Sequence, residues 1–145
     1  REVTIPALAE GRAKAGKTME GFDVCGPSFV VTGNDEAEFA AAIAGTKKQI
    51  AFYGSTPAYR PVLELHGWGG LQDDLNSLSK QGRWDDMSDV IDDEVLNTFA
   101  VVGEPEHIGP ELHRRYGDVI SRISFYAPYA ANPDRWRSVI ASLKG

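Results

Sequence analysis

Residues 49–68 read QIAFYGSTPAYRPVLELHGW, the densest apolar and aromatic stretch of the chain and its most sharply punctuated one. Ile50, Phe52 and Tyr53 finish a helical pattern, and Gly54 suits the left-handed conformation that ends a helix. Ser55 or Thr56 is placed to cap the next helix, with Pro57 in its first turn. Pro61 lacks the N–H a helix interior needs and pushes Arg60 away from helical angles, so the new helix kinks or begins there. Val62, Leu63 and Leu65 continue it, and His66-Gly67-Trp68-Gly69-Gly70 stops it.

Upstream of this corner, Asp35 and Glu38 have capping-box spacing after a Gly33-Asn34 turn, which predicts a helix of about 18 residues. Its expected buried face is Phe39, Ala40, Ile43, Ala44, Ile50 and Ala51. Lys47 and Lys48 lie toward its end, where cations suit the helix dipole. Residues 22–32, FDVCGPSFVVT, predict a strand whose regular part is Ser28 to Thr32. Because Phe29, Val30 and Val31 are consecutive and apolar, both faces of that strand are expected to be covered, as in parallel sheets. Cys25 reads as a buried thiol. An Ala-rich helix is predicted over 5–17.

Downstream, Leu71 to Lys80 and Arg83 to Ile91 predict two short helices, with Leu71, Leu75 and Leu78 forming one apolar stripe and Trp84, Met87 and Ile91 another. Asp92 to Phe99 reads as a further helical turn or two. Pro105 opens a helix carrying Ile108, Leu112 and Tyr116, and Pro110 is tolerable near its start. Helices thus account for most of 35–116. A second strand is predicted over 119–127, with Ile123 and Phe125 on one face. Asn132 and Pro133 then start a helix to residue 143, with Trp136, Val139, Ile140 and Leu143 at helical spacing.

This order implies one α/β domain over 1–145, mostly helical by residue count, in which two buried strands pair in parallel through a right-handed crossover. A chain of 145 residues with 42% hydrophobic and 25% charged residues supports one real core. The net charge of −6 excludes general nucleic-acid binding. No apolar run reaches the roughly 20 residues that span a bilayer, no signal peptide is legible, and the lone cysteine suits a reducing compartment, so a soluble, cytoplasmic protein is expected. A start at Arg1 without Met fits a processed, trimmed or partial chain.

The wording AFYGSTPAYRPVLELHGWG, followed by LSKQGRW, FAVVGEPEHI and ISFYAPY, resembles the luciferase-like flavin and deazaflavin oxidoreductases, and among them the branch dependent on coenzyme F420. The resemblance implies the carboxyl-terminal part of a (β/α)8 TIM barrel, with Ser28–Thr32 and Ile123–Tyr126 as the last two barrel strands and a helical insertion between them. A closed barrel takes eight strands and about 250 residues. Such a piece would leave strand faces and edges open, so a homo-oligomer or a separate amino-terminal half is expected to cover them. The resemblance further implies hydride transfer between a small-molecule substrate and coenzyme F420, with FMN as the alternative cofactor and inactivity of this part alone. It carries over no catalytic residue. A reading of another class is a non-catalytic self-association module built from 71–99.

In parallel barrels function collects at the carboxyl ends of strands. Thr32, Gly33 and Asn34 join a strand to a helix start, where free N–H groups favour a phosphate, although the same residues make an ordinary capped turn. Tyr126 and Tyr129 either line a pocket for a flat ring or pack at the rim. Arg60, beside Ser55, Thr56 and Tyr59, either meets a cofactor tail or pairs with an acid. His66, His107 and His113 have neither zinc nor triad spacing, and the aspartate pairs lack a calcium loop, so no metal is expected.

Overall fold

The computed structural model describes residues 1–130 and 132–144. Ala131, in the turn expected after the second strand, and Gly145 lie outside them. Three parallel strands, β1 (Cys25–Val31), β2 (Ala100–Val102) and β3 (Arg122–Tyr126), form one sheet in the order β2-β1-β3. The two strands expected from sequence pair directly, with Cys25 opposite Arg122 and Phe29 opposite Tyr126. The sequence reading missed β2, whose three residues follow a helix without a break and pair with Phe29–Val31. Both expected strands are shorter than 22–32 and 119–127.

Helices cover both faces of this sheet. On one, α2 (Glu36–Gly54), α4 (Gly69–Lys80), α5 (Asp86–Asp89) and α6 (Asp93–Phe99) bury Val31 and Ala100 among Ala42, Ile50, Leu75, Met87 and Leu96. On the other, α7 (Pro105–Tyr116) and α8 (Pro133–Leu143) bury Val30 and Val101 among Ile108, Leu112 and Val139. Consecutive apolar residues in β1 therefore serve opposite cores, as a doubly covered parallel strand requires. The connection β1 to β2 crosses one face, and that from β2 to β3 crosses the other in the opposite direction. Reversing both face and direction preserves one hand, as crossover chirality demands. The expectation of an open inner face is corrected in part: the chain's own helices cover it at Val31 and Ala100, while Phe29 and Tyr126 line an open cavity farther along it.

Several local expectations are also corrected. The first helix, α1 (Thr4–Lys14), stops before Gly16, whose φ of 68° ends it, and it buries none of its residues. Cys25 is exposed because it stands at the very start of β1. In α2 the buried face runs through Ala42, Thr46, Ile50, Ala51 and Gly54, while Ala40 and Ala44 face solvent. Gly54 is not left-handed; it is glycine because a Cβ there would stand 2.8 Å from Leu75 Cδ1. Lys47 and Lys48 lie in mid-helix, paired with Asp93 at 2.9 Å and Asp85 at 2.7 Å. The corner beyond it turns where expected, with a 3₁₀ turn at Pro57–Tyr59, α3 (Arg60–Glu64) beginning at Arg60-Pro61 and Gly67 at φ 79° closing the segment. Thr56, however, makes no side-chain cap, Ser55 Oγ donates back to the Phe52 carbonyl, and Arg60 keeps helical angles ahead of Pro61. Trp84 precedes the short α5 and is 47% exposed, and Ile140 on α8 is 46% exposed.

Candidate functional site

The order β2-β1-β3 sets the carboxyl ends of β1 and β3 side by side, with the chain leaving them toward opposite faces. In open parallel sheets this switch point is the crevice where ligands bind. Here Thr32–Asn34 follows β1 and Ala127–Tyr129 follows β3. The two loops are tied together by one carboxylate. Glu38, in the first turn of α2, accepts from the Asn34 N–H at 2.9 Å and from Asn132 Nδ2 at 2.8 Å, and it pairs with Arg135 Nη2 at 3.0 Å. These donors, the Asn34 amide first, hold the Glu38 carboxyl at about 2. A protein side chain thus stands where an anion bound at such a switch point would stand.

Each expected site residue falls into this frame or away from it. Thr32 is fully buried, and its Oγ1 has no hydrogen-bond partner among the described residues. Gly33 lies so close over α2 that a Cβ would come within 2.4 Å of Phe39 N. Asp35 caps α2 by accepting from Glu38 N–H at 2.8 Å. Tyr129 donates its hydroxyl to the Val30 carbonyl at 2.6 Å, lies 5.2 Å under the Arg135 guanidinium, and has its phenol pushed up chiefly by burial. Thr32, Gly33, Asn34 and Tyr129 are therefore brought together around Glu38. Arg60 and Tyr126 are not part of that network. Arg60 donates to Glu64 and Asp73, both at 2.7 Å, and to Gln72 at 3.1 Å, pairing with acids at the α3–α4 corner.

A cavity of about 550 Å³ is lined by the frame residues themselves, among them Glu38, Tyr129, Asn132 and Arg135, and two others lie beyond it. One of about 710 Å³ lies between the carboxyl ends of β1 and β2 and includes Asn34, Asp35, Glu36, Glu104, Glu106 and Ser138 in its lining. It has no Lys or Arg among its described lining residues, so an anion there would meet four carboxylates. With the Asn34 amide already engaged, this loop does not fit the phosphate-bearing tail of a flavin or deazaflavin. Glu104, Glu106 and His107 bring ligand atoms within 4.8 Å of one another at its exposed edge. The other cavity, about 380 Å³, lies on the sheet face under α2 and includes Phe29, Ile50, Tyr53, Tyr59, Leu63 and Tyr126 in its lining. It offers flat apolar walls and no acid, base or thiol among its described lining residues. His66, which has neither zinc nor triad spacing, stacks on Trp68 at 4.9 Å.

Sequence reasoning missed Asn132 and Arg135 as partners of Glu38, although the capping-box spacing had singled Glu38 out. Arg135 is 2% exposed, and its burial has no local signal on a helix otherwise patterned by apolar spacing. Among the described residues no helix is long and apolar enough to cross a membrane.

Comparison with known proteins gives this arrangement its context. An uncharacterized protein of Mycobacterium tuberculosis is 52% identical over 122 residues, which cover 84% of this chain and 36% of that protein. A candidate coenzyme F420-dependent oxidoreductase of the same organism is 29% identical over 72% of this chain and 32% of its own length. The 5,10-methylenetetrahydromethanopterin reductase of Archaeoglobus fulgidus is 26% identical over 95% of this chain and 41% of its own. The chain thus spans between about a third and two fifths of the length of these relatives. The sequence model of the luciferase-like monooxygenases matches residues 1–122, taking in β1, the Glu38 turn, the helical corner and α7, so the chain belongs to the luciferase-like monooxygenase family.

Proposed function

We propose that this chain is part of a luciferase-like oxidoreductase that moves a hydride between a small-molecule substrate and coenzyme F420 in the cytoplasm, and that it is inactive alone. The observation that carries the reading is the family match over residues 1–122, joined by a relative named for dependence on that cofactor. When bound, the deazaflavin supplies the redox chemistry, and the protein supplies orientation and electrostatics. Thr32, Gly33, Asn34 and Tyr129 serve here as frame, since their polar groups are engaged by Glu38 and Val30 or are buried, and Arg60 is taken up by acids away from it. The cofactor's anionic tail is then held by residues beyond this segment.

The directly paired, parallel β1 and β3 support the reading that they are neighbouring strands of a (β/α)8 barrel. A second reading, self-association, is favoured by Phe52, Leu65 and Trp84, which are 50%, 61% and 47% exposed.

The test is a fluorescence titration of coenzyme F420 and, separately, FMN into this chain and into the longer polypeptide that contains it. Saturable F420 binding by the longer protein and none by this chain supports the proposal. FMN binding in place of F420 favours the monooxygenase alternative, and no cofactor binding together with concentration-dependent association favours the module.

A further inference from the structure

The apolar cavity of about 380 Å³ belongs neither to the Glu38 frame nor to the carboxyl-end loops. Its floor is built from core residues: Ile50 and Leu63 are 5% and 3% exposed, and Gly54 is held against Leu75. Its back wall is the Phe29–Tyr126 pair across β1 and β3, with ring centroids 4.9 Å apart. Tyr53 and Tyr59, in edge contact at 5.6 Å, form the open side with Val62, and these three are 36%, 45% and 42% exposed.

We propose that this cavity binds a neutral, planar aromatic molecule bearing one hydrogen-bonding oxygen, of the phenol or quinone class. The volume lies within the range of about 300–1,000 Å³ typical of small-molecule sites. The walls present five aromatic rings, those of Phe29, Tyr53, Tyr59, Phe99 and Tyr126, which favour a flat partner through offset and edge contacts. Charge is excluded by composition: no ionised group lines the cavity among its described residues, and Arg60, next to Tyr59, is turned away to Glu64, Asp73 and Gln72. A charged ring would lose its hydration without a partner. Tyr53 and Tyr126, both in the lining, supply the polar anchor with their hydroxyls. Either hydroxyl can turn to donate to, or accept from, a ligand oxygen. The inference does not depend on which cofactor the complete protein uses.

The experiment titrates naphthol, and separately the anion naphthalene sulfonate, into the 145-residue chain, reading probe fluorescence and the thermal midpoint. Saturable naphthol binding is expected with at least tenfold preference over the sulfonate. Tyr53→Phe and Tyr126→Phe, which keep the rings, are expected to weaken it by about 2- to 10-fold each. Val62→Trp, at a solvent-exposed rim position, is expected to abolish binding without lowering the midpoint. Equal binding of the two probes, or unchanged naphthol affinity in Val62→Trp, overturns the proposal. So does light scattering that shows a dimer which Val62→Trp dissociates while naphthol fails to bind, since the mouth would then be a self-docking face.

Discussion

Glu38 and Arg135, on helices that start from different strands and pack on opposite faces of the sheet, meet at 3.0 Å over the carboxyl ends of β1 and β3. The guanidinium is almost wholly buried, and its Nε finds no partner among the described residues, so the Glu38 carboxylate is its principal compensation. Breaking a pair from the carboxylate side strands a buried cation. Glu38→Gln is therefore expected to lower the thermal midpoint clearly more than Asp134→Asn, which removes only the exposed Arg137 contact. Differential scanning calorimetry of the two variants measures this.

The same carboxylate sets an acid-sensitive window. Glu38 and Glu111 both titrate at about 2, below their ordinary value of 4.5, Glu38 chiefly through the Asn34 amide and Glu111 chiefly through Arg114. Depressed folded-state values mean that below 4.5 the unfolded chain binds more protons, so the stability these groups contribute is complete above 4.5 and is lost as pH falls toward 2. Urea midpoints measured across this window are expected to fall steeply in the native chain and less steeply in Glu38→Gln and Glu111→Gln.

Helices α7 and α8 approach so closely at Gly109 that a Cβ would lie 2.3 Å from the Ser142 backbone carbon. The Gly109 N–H also donates to Ser142 Oγ at 3.0 Å. Gly109→Ala is expected to force the helices apart at a cost of about 1–3 kcal/mol. Gly11→Ala, where a Cβ meets nothing within 4 Å, is expected to be neutral or slightly stabilising. Chemical denaturation distinguishes the two.

Tyr129 carries a smaller load. Its hydroxyl supplies the Val30 carbonyl with a partner at 2.6 Å, so Tyr129→Phe is expected to cost about 1 kcal/mol, read from the same denaturation curves.

What the sequence made legible was what local pattern determines. The apolar run Phe29-Val30-Val31 implied a doubly covered parallel strand, and the Pro-led starts of α7 and α8 placed those helices within a residue or two. The strand Ala100–Val102 was not legible, because three residues show no period and its identity comes from pairing with a distant segment. Trp84 and Ile140 looked like core residues by spacing, yet which face of a turn is buried depends on what packs there. Arg135 failed the opposite way: its burial rests on Glu38, reached only through the fold. For the candidate site, Thr32–Asn34 and Tyr129 were found by their place at strand ends. Their use as a frame around Glu38 needed three-dimensional neighbours.

The direct pairing of β1 with β3 holds the two site loops at one end, and the chain's single cysteine reports on it. Cys25 stands opposite Arg122 in the parallel register. Neighbouring strands lie about 4.7–4.9 Å apart, within the Cα range of a disulfide, whereas a strand placed between them would double that separation. The measurement is oxidation of dilute, folded Arg122→Cys with diamide, read by intact mass and free-thiol count. An intramolecular disulfide that forms in the folded chain and not in urea is the predicted result; two thiols that stay free, or that link only between molecules, would contradict the order β2-β1-β3 and the site built on it.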